Sequence, residues 1–321
     1  MKKHLYLIIF AFAISSLSAQ TKFAQLGQEL PTANAYRTAS GAPGHEYYQQ
    51  KADYKMDIVL DDEKQRIDGF ETITYTNNSP DQLDYLWLQL DQNLFDEQSD
   101  TKLIEIEHME NFKSVGDLRK RDFKYDGGFK IEQITNTSGQ AMKYFINKTM
   151  LRIDLAKPLM PGQNISFQVK WWYNINDRMQ VGGRSGYEYF DIDQNYLYTI
   201  AQFFPRMCVY NDVTGWQNKQ FLGRGEFTLP FGDYIVNITV PADHIVGATG
   251  ECQNYATVLT AEQRKRYEMA KKSDSPVLII TQQEAEAAEK EHAQKTKTWT
   301  YKATNVRDFA FASSRKFIWD A

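Results

Sequence analysis

From Tyr54 onward, apolar side chains return at every second position, the period of a half-buried strand. Tyr54 to Leu60 predicts one strand, and Asp61 to Gln65 a polar turn. Arg66 to Thr76 predicts a second strand, with Ile67, Gly69, Glu71, Ile73 and Tyr75 on one side. Asn77-Asn-Ser-Pro80 closes it as a turn cluster. Further strands are predicted over 83–90, 128–131, 150–155, 164–173, 225–229, 234–240, 276–280 and 299–303. Strands separated by turn clusters predict a mainly β protein, an antiparallel β-sandwich or saddle. Helices enter late. Thr260 with Gln263 and Thr281 with Glu284 have capping-box spacing. They open helices from Ala261 to about Lys272 and from Glu284 to Gln294. The second has almost no apolar face and predicts a solvent-exposed excursion, so a small helical insertion spans about 260–295.

The last segment, 308–321, also alternates, and is read as one strand whose partner lies beyond Ala321. Phe309, Phe311, Phe317, Ile318 and Trp319 would then form an apolar edge. On this reading the chain is the front part of a longer protein.

The opening residues change the picture of location. Lys2 and Lys3 precede an uncharged apolar run, Leu5 to Ile14, and small residues end at Ala19. This predicts a signal peptide over 1–19 and an exported protein, periplasmic or secreted. The run is short of the roughly 20 residues a membrane span needs, and no later stretch is apolar enough. Residues 20–50 predict an extended lead segment. The formal net charge of -4 argues against nucleic-acid binding. Cys208 and Cys252 could form one bridge or remain two buried thiols.

Little chemistry is visible in motifs. The five histidines are His4, His45, His108, His244 and His292, and none pairs at helical spacing. His45-Glu46 begins a zinc-peptidase helix pattern that fails at Gln49. Asp191 and Asp193 could join Asp61 or Asp62 around calcium, but a solvated turn is the stronger expectation. Gly182-Gly183-Arg184-Ser185-Gly186 sits between strands and predicts a mobile loop. The densest stretch is Tyr196 to Trp216, where Gln202, Arg206 and Asp212 interrupt an apolar, aromatic run. Either Arg206 and Asp212 pair structurally beside a hydrogen-bonded Gln202, or the segment forms a cleft wall.

Four segments carry a family resemblance: 54–78, 198–216, 231–251 and 305–315. Over Tyr54 to Ala321 the chain resembles the N-terminal half of a zinc metallo-aminopeptidase of the gluzincin group, the aminopeptidase N and leukotriene hydrolase family, and particularly secreted members from Bacteroidetes-type bacteria. The resemblance implies a saddle-shaped β-domain over 51–303 and the start of a thermolysin-like catalytic domain at 304–321. It implies zinc in the intact protein, held by a His-Glu-x-x-His motif that does not occur in these 321 residues. A Gly-x-Met-Glu-Asn motif is likewise expected beyond Ala321. Thr199-Ile-Ala-Gln202 resembles the family segment whose last residue contacts the substrate's free amino terminus, which implies that role for Gln202. Ile200 departs from the family's usual Gln. Arg206 and Asp212 are implied as support for the cleft wall.

The expected partners are a peptide with a free N-terminus and a C-terminal catalytic domain. The expected chain itself has no catalytic residue and binds no metal. The rival expectation is a stand-alone β-sandwich module that binds peptides or proteins.

Overall fold

The computed structural model describes residues 33–104, 125–223, 225 and 227–321. The predicted leader, residues 1–19, and the first part of the lead segment lie outside the described residues. The chain divides into two compact units, ending and beginning at Tyr48 and Gln49. In the first, Asn34 Oδ1 accepts from the backbone N–H groups of Tyr36 and Arg37, each at 2.8 Å. A bridge joins Arg37 to Pro43.

The second unit is built of strands. In chain order they are β1 (Lys51–Asp61), β2 (Arg66–Thr76), β3 (Leu83–Gln89), β4 (Lys130–Asn136), β5 (Lys143–Asn147), β6 (Met150–Leu159) and β7 (Asn164–Asn174). There follow β8 (Gly186–Phe190), β9 (Asn195–Ile200), β10 (Arg206–Met207), β11 (Tyr210–Asn211), β12 (Gly215–Trp216) and β13 (Gly232–Pro241). The last are β14 (Ile245–Ala248), β15 (Glu251–Cys252), β16 (Leu278–Ile280), β17 (Thr296–Val306), β18 (Phe311–Ser314) and β19 (Trp319–Asp320).

The largest sheet has the order β15-β17-β13-β1-β2-β7-β4. Its ladders are antiparallel except β1 with β13, which run parallel, so the sheet is mixed where a purely antiparallel one was expected. These two strands are far apart in sequence, so no tight hairpin dictates their direction. Alternation decides which face is buried. Tyr54, Met56 and Ile58 of β1 point in, as do Ile67, Ile73 and Tyr75 of β2 and Phe167, Val169, Trp171 and Tyr173 of β7. Gly69 is glycine because a Cβ there would overlap the Trp171 ring.

Two four-stranded sheets, β10-β3-β6-β5 and β14-β18-β9-β8, contribute to the same core. Leu86, Leu88, Leu151 and Ile153 enter from the first, and Tyr198, Ile200 and Phe311 from the second. Each fully buried side chain of this size is worth roughly 1.5–3 kcal/mol. The result is the expected mainly β, sandwich-like domain.

Several expectations need correction. The terminal segment is not one unpartnered strand. β18 lies between β14 and β9, and β19 pairs with β16. Phe309 and Phe311 are buried, and of the expected edge only Ile318 is strongly exposed. The stretch 225–229 forms no strand among its described residues, because alternation alone does not provide a partner. Both capping boxes form, over helices Ala261–Ala270 and Gln282–Glu291. The second helix is less free than expected: Ala285 is buried and Glu284 pairs with Arg266. The predicted polar turn forms, and within it the Asp62 side chain is largely buried and bonded to Arg315 at 2.9 Å.

Candidate functional site

The site begins where β3 ends. Asp91, Gln92 and Asn93 are polar, yet all three are buried in a 3-10 helix, Asp91–Phe95. Buried polar groups need partners, and each of the three side chains makes at least one hydrogen bond, although Gln92 Oε1 has none among the described residues. Gln89 Nε2 donates to Asp91 Oδ1 at 2.7 Å. Gln92 Nε2 donates to the Gln202 carbonyl at 2.9 Å. Asn93 Nδ2 donates to the Lys148 carbonyl at 2.7 Å, and its Oδ1 accepts from Phe129 N at 2.7 Å.

Arg206 opens β10 and crosses to this helix. Its Nε and Nη2 donate to Asp91 at 3.0 and 2.7 Å, a bidentate pair. Its Nη1 donates to Asp308 Oδ2 at 2.6 Å. Burial works against the guanidinium charge, but Asp91 and Asp308 more than offset it and hold its pKa above the ordinary value. Burial pushes Asp308 upward, while Arg206 works the other way. Arg206 is held by Asp91 and Asp308, where one of the two alternatives read from the sequence had Asp212. Asp212 sits half-buried in the turn between β11 and β12, a hairpin of its own.

Gln202 lies between β9 and β10. Its φ of 52° is left-handed, a conformation that costs a side chain with a Cβ. The flanks hold it there. Phe203 and Phe204 are fully buried. The N–H of Ala201 donates to Ser185 Oγ at 3.1 Å, and Gln92 holds the Gln202 carbonyl from the other side. The side-chain amide of Gln202 makes no hydrogen bond among the described residues, and borders a cavity of about 410 Å³.

Arg184, Arg206, Arg307, Asp308 and Gln89 line the polar part of that cavity, and Phe221, Phe227 and Leu229 the apolar part. A smaller cavity of about 110 Å³ shares Gln202 and Arg184 and reaches Asp91 and Gln92. The structure thus brings Gln202 and Arg206 to one cavity, and Asp212 is not among its lining residues. Sequence reasoning missed Asp91, Gln92, Arg307 and Asp308. Asp308 had one available signal, the Arg-Asp step at 307–308 before an aromatic run.

The glycine-rich loop carries hydrogen bonds to its flank. The buried Asn176 Nδ2 donates to the carbonyls of Gly182 and Ser185 at 2.7 and 2.8 Å. Both cysteines are free thiols, Cys208 buried and Cys252 half-buried. Among the described residues no group of three or more His, Cys, Asp or Glu side chains could hold a metal. Of the residues weighed for calcium, Asp193 is paired with Lys316 and Asp62 with Arg315.

A second polar cluster contains Asp62, His244 and Ser313. His244 Nδ1 lies 2.9 Å from Ser313 Oγ, and its Nε2 lies 3.8 Å from Asp62. These are the residue types of a nucleophile triad, but His244 and Ser313 are fully buried and no substrate reaches them. Burial lowers the His244 pKa, so the ring is neutral and serves the core.

No protein-family profile matches the chain. No curated protein matches it either. Solved structures do match. The M1 zinc metallopeptidase from Deinococcus radiodurans is 12% identical, with a TM-score of 0.42, over 84% of this chain and 43% of that one. A mutant of the D. radiodurans M1 zinc metallopeptidase bound to a Tyr-Ser-Ala substrate is 10% identical, with a TM-score of 0.42, over 82% and 42%. A two-domain M1 zinc metallopeptidase mutant bound to L-tryptophan is 10% identical, with a TM-score of 0.40, over 85% and 44%. The chain spans less than half the length of these matched structures.

Proposed function

We propose that this chain is the substrate-cleft half of an exported zinc metallo-aminopeptidase, and that Gln202 receives the free amino terminus of a peptide. The observation that carries the reading is the state of Gln202. Its backbone is held left-handed at φ 52°, and its amide faces a cavity without a hydrogen-bond partner among the described residues. A polar group kept free at the cost of backbone strain is a feature of binding sites. The four resembling segments supply the family, and the predicted leader at 1–19 supplies export.

The chain's own residues contribute binding. The Gln202 carbonyl oxygen can accept from an ammonium. The apolar wall of Phe221, Phe227 and Leu229 can cover a side chain and exclude water. Arg206, fixed by Asp91 and Asp308, holds β10 against the 3-10 helix and keeps the Gln202 turn in place. Zinc, in this reading, is held by a following domain, where it would polarise the scissile carbonyl. The described residues here provide no ligand group for it.

The test is to read the gene past codon 321 and assay the product of the complete frame. The expected results are a downstream His-Glu-x-x-His and release of N-terminal residues. Gln202→Ala should then lower kcat/KM for free-amine peptides about 10- to 150-fold, the worth of one hydrogen bond to a charged group. A frame that closes at codon 321 overturns the enzyme reading and leaves the stand-alone binding module. An unchanged preference for free over N-acetylated peptides in folded Gln202→Ala removes Gln202 from the site.

A further inference from the structure

A lysine occupies an inward position of β17. The strand alternates, and the side that carries the buried Trp299 and Tyr301 also carries Lys297. Alternation calls for an apolar side chain there, and a lysine at such a position needs a counterion. Among the described residues Lys297 makes no ion pair, and the one charge that acts on it is that of Asp243. Its Nζ lies 3.5 Å from the Val258 carbonyl, the outer limit of a hydrogen bond, and 5.1 Å from the centre of the Trp299 ring. The other charged groups nearby serve one another. Arg315 joins Asp62 and Asp243, and Arg266 joins Glu284. Burial lowers the Lys297 pKa to about 8, with Asp243 working the other way.

Lys297 lines a cavity of about 390 Å³. Val258, Ile280, Ala285 and Ala288 give it apolar walls, and the exposed Thr260 and Glu291 open it to solvent. None of its lining residues borders the cavity beside Gln202. We propose that Lys297 is a nucleophilic amine that captures uncharged, apolar aldehydes in this cavity as an imine. An amine kept neutral by its surroundings has its lone pair free for attack. The nitrogen adds to the carbonyl carbon, and the carbonyl oxygen takes up the proton that the nitrogen gives. The carbinolamine then loses water, and the C=N bond forms. No oxidant or reductant is needed, and hydrolysis returns the aldehyde. The apolar walls favour an aldehyde with a hydrocarbon body.

The experiment treats the full chain at pH 8 with 3-methylbutanal or with formaldehyde, fixes the imines with cyanoborohydride, and maps alkylated lysines by mass spectrometry. Lys302, exposed on the same strand, is the reference. With 3-methylbutanal, Lys297 should be alkylated about tenfold faster than Lys302, since more of it is neutral at this pH. Formaldehyde has no body for the walls to hold and should show a smaller preference. Unfolding in guanidinium chloride should remove the preference. Ala288→Phe, which fills the cavity, should slow Lys297 and leave Lys302 unchanged. Thermal melts check that the variant folds, and if it does not, the comparison of the two aldehydes decides.

Equal labelling of Lys297 and Lys302 in the folded chain overturns the inference. A preference as strong with formaldehyde as with 3-methylbutanal overturns the apolar class of ligand. A preference that survives in folded Ala288→Phe overturns the role of the cavity.

Discussion

Two arginines in this domain are each held between two aspartates, and they behave differently. Arg206 joins Asp91 and Asp308, and Arg315 joins Asp62 and Asp243. Each borders a cavity, of about 410 and 390 Å³ respectively. The surroundings differ. Asp62 and Asp243 are 13% and 4% exposed, and Asp62 also accepts from Tyr198 OH at 2.7 Å. Arg315 Nη1 further donates to Asn195 Oδ1 at 3.3 Å. Asp308 is 40% exposed and faces the cavity. The same ionic device therefore locks loops in both places, so a buried arginine between carboxylates does not itself mark a site. What marks the first region is Gln202, whose side-chain amide borders the cavity with no hydrogen-bond partner among the described residues.

The largest effect expected is from removing either arginine. Leaving buried carboxylates uncompensated costs about 3–5 kcal/mol. Arg315→Met should exceed Arg206→Met in denaturant titrations, because both of its carboxylates are enclosed. The reverse order would mean that the two knots differ in something besides burial.

Glu71 is the control, a carboxyl with no arginine at all. It is fully buried, and neither carboxylate oxygen has a hydrogen-bond partner among the described residues. Burial raises its pKa well above the ordinary value. A raised acid binds its proton in the folded state, so its cost is absent below the unfolded pKa of about 4.3 and grows as pH rises toward the folded value. Glu71→Met should therefore stabilise the domain by about 1–3 kcal/mol at pH 7 and by less at pH 4. Equal melting curves for both proteins at pH 7 would show that ordered water already satisfies the carboxyl.

Asp62 has the opposite sign. Burial alone would raise its pKa, but His244, Tyr198 and Arg315 more than offset this and hold the carboxyl well below the usual range. Its contribution is present above the unfolded pKa of about 3.9 and is lost as pH falls through the folded value. Asp62→Asn should flatten the acid limb of a stability–pH profile. An unchanged limb would assign acid sensitivity to other carboxylates.

The smallest effect concerns strain. Gln202→Gly should raise stability by up to about 1 kcal/mol, because glycine adopts positive φ without a Cβ penalty. It should also weaken amine binding. A destabilised variant would show that the Gln202 side chain supports the fold instead of the cavity.

Strand periodicity made the large sheet legible. In β2 the residues predicted to share one side, Ile67, Gly69, Glu71, Ile73 and Tyr75, are the buried ones, since one face of a sheet must leave water. Both capping boxes were legible too, because their bonds span only three residues. The polar run after β3 carried no signal of burial, because the burial of Asp91, Gln92 and Asn93 depends on Gln202, Arg206 and Lys148 arriving from elsewhere. Gln202 was singled out through resemblance, whereas its left-handed backbone was invisible to any pattern.

The sequence by itself determined the mainly β architecture and the two helix starts, both products of local spacing. Tertiary structure alone decided the pairings. It set β13 parallel to β1, placed β18 between β14 and β9, and gave Arg206 to Asp91 and Asp308 instead of Asp212. The reason is separation. Arg206 and Asp91 stand 115 residues apart and Arg206 and Asp308 stand 102 apart. Only the packing of three sheets on one core brings such charges together.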